Sequence, residues 1–192
     1  MKKAFLLVVA LAFSAVAPAA DTKPIEEVFL RYWGAFAKKD MVKAAADVLP
    51  SDLEETKAAI LPVFLGAQTH KDKEVQEMLS LFFGRTVGKA REAMTPVEVY
   101  AGINRIVMAG NPQFFDVLKD ASISIIFVRT PKPDEAEVHY QVMIRGASDT
   151  DADGLIKKNG RWWIRVKEDP KEAAAQFKQV FENAGKAAPA TK

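Results

Sequence analysis

From residue 22 onward, apolar positions recur every three to four residues through about the first hundred, and every second residue thereafter. That change of period predicts helices first and strands later. Val28, Phe29, Tyr32, Trp33 and Phe36 form the first apolar face. Thr22-Lys23-Pro24 opens its helix, with Pro24 at a permitted early position and Glu26 and Glu27 near the positive end of the dipole. Lys38-Lys39-Asp40 interrupts the face, and Asp40 is set to cap a second helix over 41–49 that Pro50 ends. Ser51 and Glu54 read as a capping box for a third helix, which Pro62 is expected to kink or stop. Asp72 caps a fourth, with Val75, Met78, Leu79, Phe82 and Phe83 as its stripe. Thr95-Pro96-Val97-Glu98 opens a fifth by cap, proline and reciprocal Glu, and Gly110 closes it. Asn111-Pro112 starts a short sixth through Leu118.

The strands follow. Residues 122–129 are rich in Ile, Phe and Val. Val138, Tyr140, Val142 and Ile144 then alternate with His139, Gln141, Met143 and Arg145, giving one apolar and one mixed face. Asn159-Gly160 between 155–158 and 161–166 is a hairpin signal, because both turn residues take positive φ. A two-residue turn sets Lys158 opposite Arg161, Ile156 opposite Trp163 and Leu155 opposite Ile164. Trp162, Ile164 and Val166 then share the core face with Leu155, and Trp163 lies on the other. Asp169-Pro170 opens a last helix with the stripe Ala173, Phe177, Val180 and Phe181, ended by Gly185. The order predicts an α+β fold, with helices packed on one face of an antiparallel sheet. Residues 20–186 read as a single domain with a helical segment over 51–120, and 187–192 as a disordered tail.

The first nineteen residues have a different pattern. Met1-Lys2-Lys3 is a short positive start, 4–13 an unbroken apolar run, and 14–20 small and weakly apolar. This is the layout of a secretory signal, and the run is shorter than the roughly 20 apolar residues of a membrane span. Ala17-Pro18-Ala19 places the cut after Ala19. No Cys follows for lipid attachment, so the expectation is a bacterial periplasmic or secreted protein, neither a lipoprotein nor membrane-bound after cleavage. Composition adds little: 49% hydrophobic and 27% charged residues are ordinary values. The absence of Cys excludes disulfides, thiol nucleophiles and Cys-ligated metal sites. The formal charge of +2 comes from the signal: 27 basic residues less Lys2 and Lys3 leave 25 against 25 acidic ones. A balanced charge gives no field for nucleic acid.

Two stretches carry a family resemblance. The first helix running into Ala35-Phe36-Ala37-Lys38-Lys39-Asp40, and the hairpin Leu155-Ile156-Lys157-Lys158-Asn159-Gly160-Arg161-Trp162-Trp163-Ile164, resemble the opening helix and final hairpin of the NTF2-like superfamily. With the earlier strands the likeness covers 23–50 and about 121–167. It implies a curved antiparallel sheet around helices and a cone-shaped cavity. Members include ketosteroid isomerase-like and dehydratase-like enzymes as well as non-enzymatic binding and dimerisation modules. The helical 51–120 and the terminal helix depart from the family pattern.

Candidate chemistry is sparse. Asp149, Asp151 and Asp153 in Asp149-Thr150-Asp151-Ala152-Asp153-Gly154 match the first half of a calcium loop, but position twelve is Gly160 where a bidentate Glu is needed. The plainer reading is a solvated acidic loop between strands. His70 and His139 are far apart in sequence, and no metal site or cofactor is expected. His139 points away from the Val138/Tyr140 face; lining a cavity it would serve as acid or base, otherwise it belongs to a surface or interface. Tyr100 and Tyr140 are the accompanying catalytic candidates. Tyr32, Trp33, Arg145 and Trp163 are candidates for a cavity or interface. Lys157, Lys158, Arg161, Arg165 and Lys167 read as a solvated strand edge. The leading expectation is a non-enzymatic binding or interaction module for a small apolar ligand. The alternatives are a cofactor-independent lyase or isomerase using His139 and a Tyr, and a homodimerisation module joined through the sheet face at Trp163.

Overall fold

The computed structural model describes residues 21–118 and 120–184, apart from the side chains of Phe114 and Phe115. The expected signal segment, the tail and Gly185 lie outside the described residues. Among the described residues six α-helices come first: α1 (Lys23–Ala37), α2 (Met41–Ala45), α3 (Pro50–Gly66), α4 (Lys73–Phe83), α5 (Pro96–Gly110) and α6 (Pro112–Leu118), with a 3-10 turn at Gly88–Arg91 before α5. Four strands follow, β1 (Ser122–Lys132), β2 (Glu135–Ile144), β3 (Ala147–Lys158) and β4 (Arg161–Ile164), then α7 (Pro170–Ala184). The strands form one antiparallel sheet in the order β1-β2-β3-β4. The fold is therefore α+β, with a C-terminal helix. Among the described residues no helix is long and apolar enough to cross a membrane.

Several local signals act as their chemistry dictates. Asp40 accepts from the Lys43 amide, and Asp72 from the amides of Glu74 and Val75. Thr95 and Glu98 form a reciprocal capping box at α5. Asn159 and Gly160 take φ of 53° and 79°, and the hairpin pairs Lys158 with Arg161, Ile156 with Trp163 and Leu155 with Ile164.

Tertiary contacts redraw other boundaries. The second helix ends at Ala45, before the expected 49, because β4 engages the next backbone groups. The Ile164 amide donates to the Asp47 carbonyl at 2.8 Å, and the Leu49 amide to the Ile164 carbonyl at 2.9 Å. Ser51 is not the cap of α3. The helix begins at Pro50, Leu49 is extended as the residue before proline must be, and no side chain caps it. Pro62 does not stop α3, which continues to Gly66. The lost backbone bond is offset by burial of Ile60, Leu61 and Phe64. Residues 149–154 are not a loop but the middle of β3, paired with β2 throughout. The turn sits earlier, at Arg145 and Gly146, with φ of 48° and 86°. β4 ends at Ile164, two residues before the expected Val166, whose amide donates to the Asp52 carboxylate.

Among the described residues most buried apolar side chains fall in three clusters. Ile60, Phe64, Val75, Phe82, Val99 and Phe181 join α3, α4, α5 and α7. Ile25, Phe29, Val138, Tyr140, Leu155 and Ile164 join α1 to the sheet. Ala45, Val48, Leu53 and Tyr100 lie in a third cluster. Within the first, a Cβ on Gly102 would fall 2.7 Å from the Phe82 carbonyl oxygen, so only glycine permits α5 to pass α4 this closely.

Asp47 fixes the sheet to the helices. Its buried carboxylate accepts from Arg31 at 2.7 and 2.6 Å and from Arg161 at 2.9 Å. Asp47→Asn should lower stability by about 2–3 kcal/mol, since it removes the charge from a buried acceptor of two guanidinium groups. Asp116→Asn, in an exposed pair with Lys39, should change it by less than about 0.5 kcal/mol. Equilibrium urea unfolding measures both, and equal losses would show that Asp47 has no special role.

Candidate functional site

A cavity of about 530 Å³ lies between the inner face of the sheet and helices α1, α3, α5 and α7. Helix α1 supplies Tyr32, Trp33 and Phe36, and α5 supplies Tyr100, Ile103, Asn104 and Val107. The sheet adds Tyr140, Asp151 and Asp153, and α7 closes the far wall with Phe177 and Val180. Helical periodicity explains the α1 contribution: Phe36 lies four residues from Tyr32 and three from Trp33, so both neighbour it on one face. Their rings pack edge to face, Trp33 on Phe36 at 5.3 Å and Tyr32 on Trp33 at 5.9 Å between centroids. Trp33 also lies 5.4 Å from Tyr140. This rigid aromatic wall continues the core formed by Phe29 and Tyr140.

The polar end is built from alternate residues of β3. Asp151 and Asp153 pair with Tyr140 and Val138 of β2, so both face inward. Asp153 is buried, and an unpaired carboxylate there would be costly. It accepts from the Trp33 indole at 2.9 Å and from the Lys167 ammonium at 2.9 Å. Lys167 also reaches Asp151 at 2.8 Å, and Asp151 takes the Tyr140 hydroxyl at 3.3 Å. One ammonium thus serves two carboxylates. On the opposite side the Tyr32 and Tyr100 hydroxyls share a hydrogen bond of 2.9 Å. Two hydroxyl protons and one mutual bond leave one donor over.

The electrostatics follow from burial and this pairing. Burial pushes the Tyr32 hydroxyl far above the usual tyrosine range, assisted by Tyr100, Asp153 and Glu168. Burial raises Tyr140 in the same way, with Asp153 and Asp151 adding to it. Both are neutral hydrogen-bonding groups at any ordinary pH. Burial opposes the Lys167 charge, but the hydrogen bonds it donates to Asp151 and Asp153, with their negative charge, outweigh it and raise the pKa. The hydrogen bond from Lys167 holds Asp151 below the usual carboxylate value.

The structure brings together Tyr32, Trp33, Tyr100, Tyr140, Asp151 and Asp153 from the sequence candidates. His139 is elsewhere. Its neighbour Tyr140 faces inward, so His139 projects from the other face of the sheet, stacked on Phe127 at 4.2 Å. Its Nε2 has no hydrogen bond and lies 3.6 Å from the Glu137 carboxylate. His139 and a tyrosine therefore do not meet in the cavity. Trp163 is on that outer face too, half-buried with the Arg161 guanidinium 4.0 Å over its ring. Arg145 is exposed in the β2–β3 turn, 3.6 Å from Asp120. Asp149 is exposed and accepts from the Thr150 amide. Among the described residues no three His, Cys, Asp or Glu side chains are grouped to hold a metal ion.

Sequence reasoning missed Lys167, Glu168 and Asn104. The basic edge is not uniformly solvated: Arg161, Arg165 and Lys167 pair with Asp47, Asp52 and the Asp151/Asp153 pair. Strand parity counted from Trp162 sends Lys167 outward, but the chain leaves the sheet after Ile164 and parity no longer applies. Comparisons with protein-family models, with curated proteins and with solved structures find no match to this chain.

The pairing of Asp151 has a pH signature. A carboxylate lowered in the folded state adds stability above its unfolded pKa, and that stability is lost as pH falls through the folded value. Asp151→Asn should therefore cost stability at pH 7, by less than about 1 kcal/mol because the group is exposed. The gap to the parent protein should close as the pH falls below about 4. Urea unfolding from pH 7 to pH 2 tests this; a gap that widens towards low pH would refute the pairing.

Proposed function

We propose that this protein is an exported binding module of the NTF2-like kind, holding a small, mainly apolar ligand in the cavity beneath the sheet. The observation that carries the reading is the cavity itself. About 530 Å³ lies in the range of small-molecule sites, and apolar and aromatic walls with a few convergent polar groups are their usual composition. The polar groups suit binding better than proton transfer. Asp151 and Asp153 already accept from Lys167, and the raised tyrosines keep their protons. A general base needs a free acceptor within reach of a substrate proton, which the Asp151/Asp153 pair, held by Lys167, does not offer. Export rests on residues 1–19.

A neutral fluorescent probe, N-phenyl-1-naphthylamine, should bind with one site per chain and brighten. Val107→Trp should weaken it by about tenfold, since Val107 lines the cavity but is 44% exposed and has room to change. Absence of binding, or binding indifferent to Val107→Trp, would count against the cavity as the site.

A second reading has its own observation. Phe127 and Met143, 51% and 45% exposed, lie at outward positions of β1 and β2, on the face that carries His139 and Trp163. An apolar sheet face of this kind suits a second copy of the chain. Sedimentation equilibrium should then show a dimer that Phe127→Lys converts to a monomer. A parent chain that sediments as a monomer would end this reading.

A further inference from the structure

The charges around the cavity are unequal, and the inequality selects among ligands. Asp151, Asp153 and Glu168 line it against Lys167, whose ammonium is shared by the two aspartates. Arg165 also lines the cavity, but its guanidinium is paired with Asp52 at 2.8 Å. Glu168 has no hydrogen bond or ion pair among the described residues. The lining therefore carries an excess of negative charge next to aromatic rings, whose faces also favour cations.

Resting on the cavity-binding reading above, we infer that the ligand is a protonated amine with an apolar body. The body lies against Trp33, Phe36, Val107 and Phe177, and the ammonium lies beside Asp151 and Glu168. Two features argue against a carboxylate ligand. Lys167 is the cation it would seek, and two carboxylates already hold it. An anion would also be placed beside like charges in a partly desolvated site. A neutral alcohol loses only the charge term. The field is felt by the tyrosines: Asp153 and Glu168 both act to raise Tyr32 and Tyr100, beyond what burial does.

Three probes of equal chain length separate charge from apolar burial: octylamine, 1-octanol and octanoate, titrated calorimetrically into the protein at pH 7. Octylamine should bind about tenfold more tightly than octanol, and octanoate most weakly. The octylamine-to-octanol ratio should fall about threefold in Glu168→Gln, further in Glu168→Gln with Asp151→Asn, and with added salt. Octanoate binding as tightly as octylamine overturns the inference, as does a ratio unchanged in the double variant. In those cases the cavity still binds and only the amine assignment falls. Failure of all three probes to bind removes the cavity-binding reading and this inference with it.

Discussion

Asp47 is the point at which the helices and the sheet are made one structure. Its buried carboxylate is held by Arg31 of α1 and Arg161 of β4, and its carbonyl accepts from Ile164. An isolated carboxylate would not be stable in that position, so each partner is drawn to it. The consequence is geometric. β4 is only four residues long and pairs with a single strand, β3. The chain between α2 and α3 supplies the support that a further strand would otherwise give, through a parallel bridge between Val48 and Ile164. Arg161 also covers Trp163, so one side chain ties the outer face of the hairpin to the helices.

The same device repeats along the chain. After Arg161 meets Asp47, Arg165 meets buried Asp52, and Lys167 meets Asp151 and buried Asp153. Each pair takes its carboxylate from a different element: the α2–α3 connection, the first turn of α3, and β3. The segment leaving β4 is thereby led step by step across the cavity edge to Pro170, where α7 begins. The anchoring of α7 is apolar: Phe177 and Phe181 meet the Phe64 ring edge to face at 5.0 and 5.2 Å. Polar pairs set the path, and aromatic packing holds the helix that closes the wall.

What the sequence made legible was local. The Thr95/Glu98 box, the Asp72 cap and the Asn159-Gly160 turn depend on groups within four residues of one another, and all three form. The α1 stripe predicted the aromatic wall because helical periodicity needs no partner to be read. What failed depended on distant chain. Asp149, Asp151 and Asp153 have low strand propensity, and composition alone favours a loop. Pairing with β2 overrides that preference and puts the alternate acids on one face of β3, where Lys167 pairs with exposed Asp151 and buried Asp153. The end of α2 at Ala45 and the start of α3 at Pro50 are likewise set by β4, more than a hundred residues later. Local rules give no access to such a partner.

The helices of the stretch 51–120 and the C-terminal helix complete the cavity. Sheet and α1 alone would leave Trp33 and Tyr140 at an open surface with their rings facing water, and Asp153 solvated. Helix α5, within the helical stretch 51–120, brings Tyr100 against Tyr32 and lays Ile103 and Val107 along one side. Helix α7 brings Phe177 and Val180 to the other. Their arrival lowers the dielectric around buried Asp153 and so strengthens its interaction with Lys167. An apolar wall added by helices and a charged end supplied by β3 and the chain after β4 have separate structural origins. Under the proposed binding reading, ligand shape and ligand charge are for that reason open to change one at a time: substitutions on α5 and α7 act on the first, and substitutions at Asp151 and Glu168 on the second.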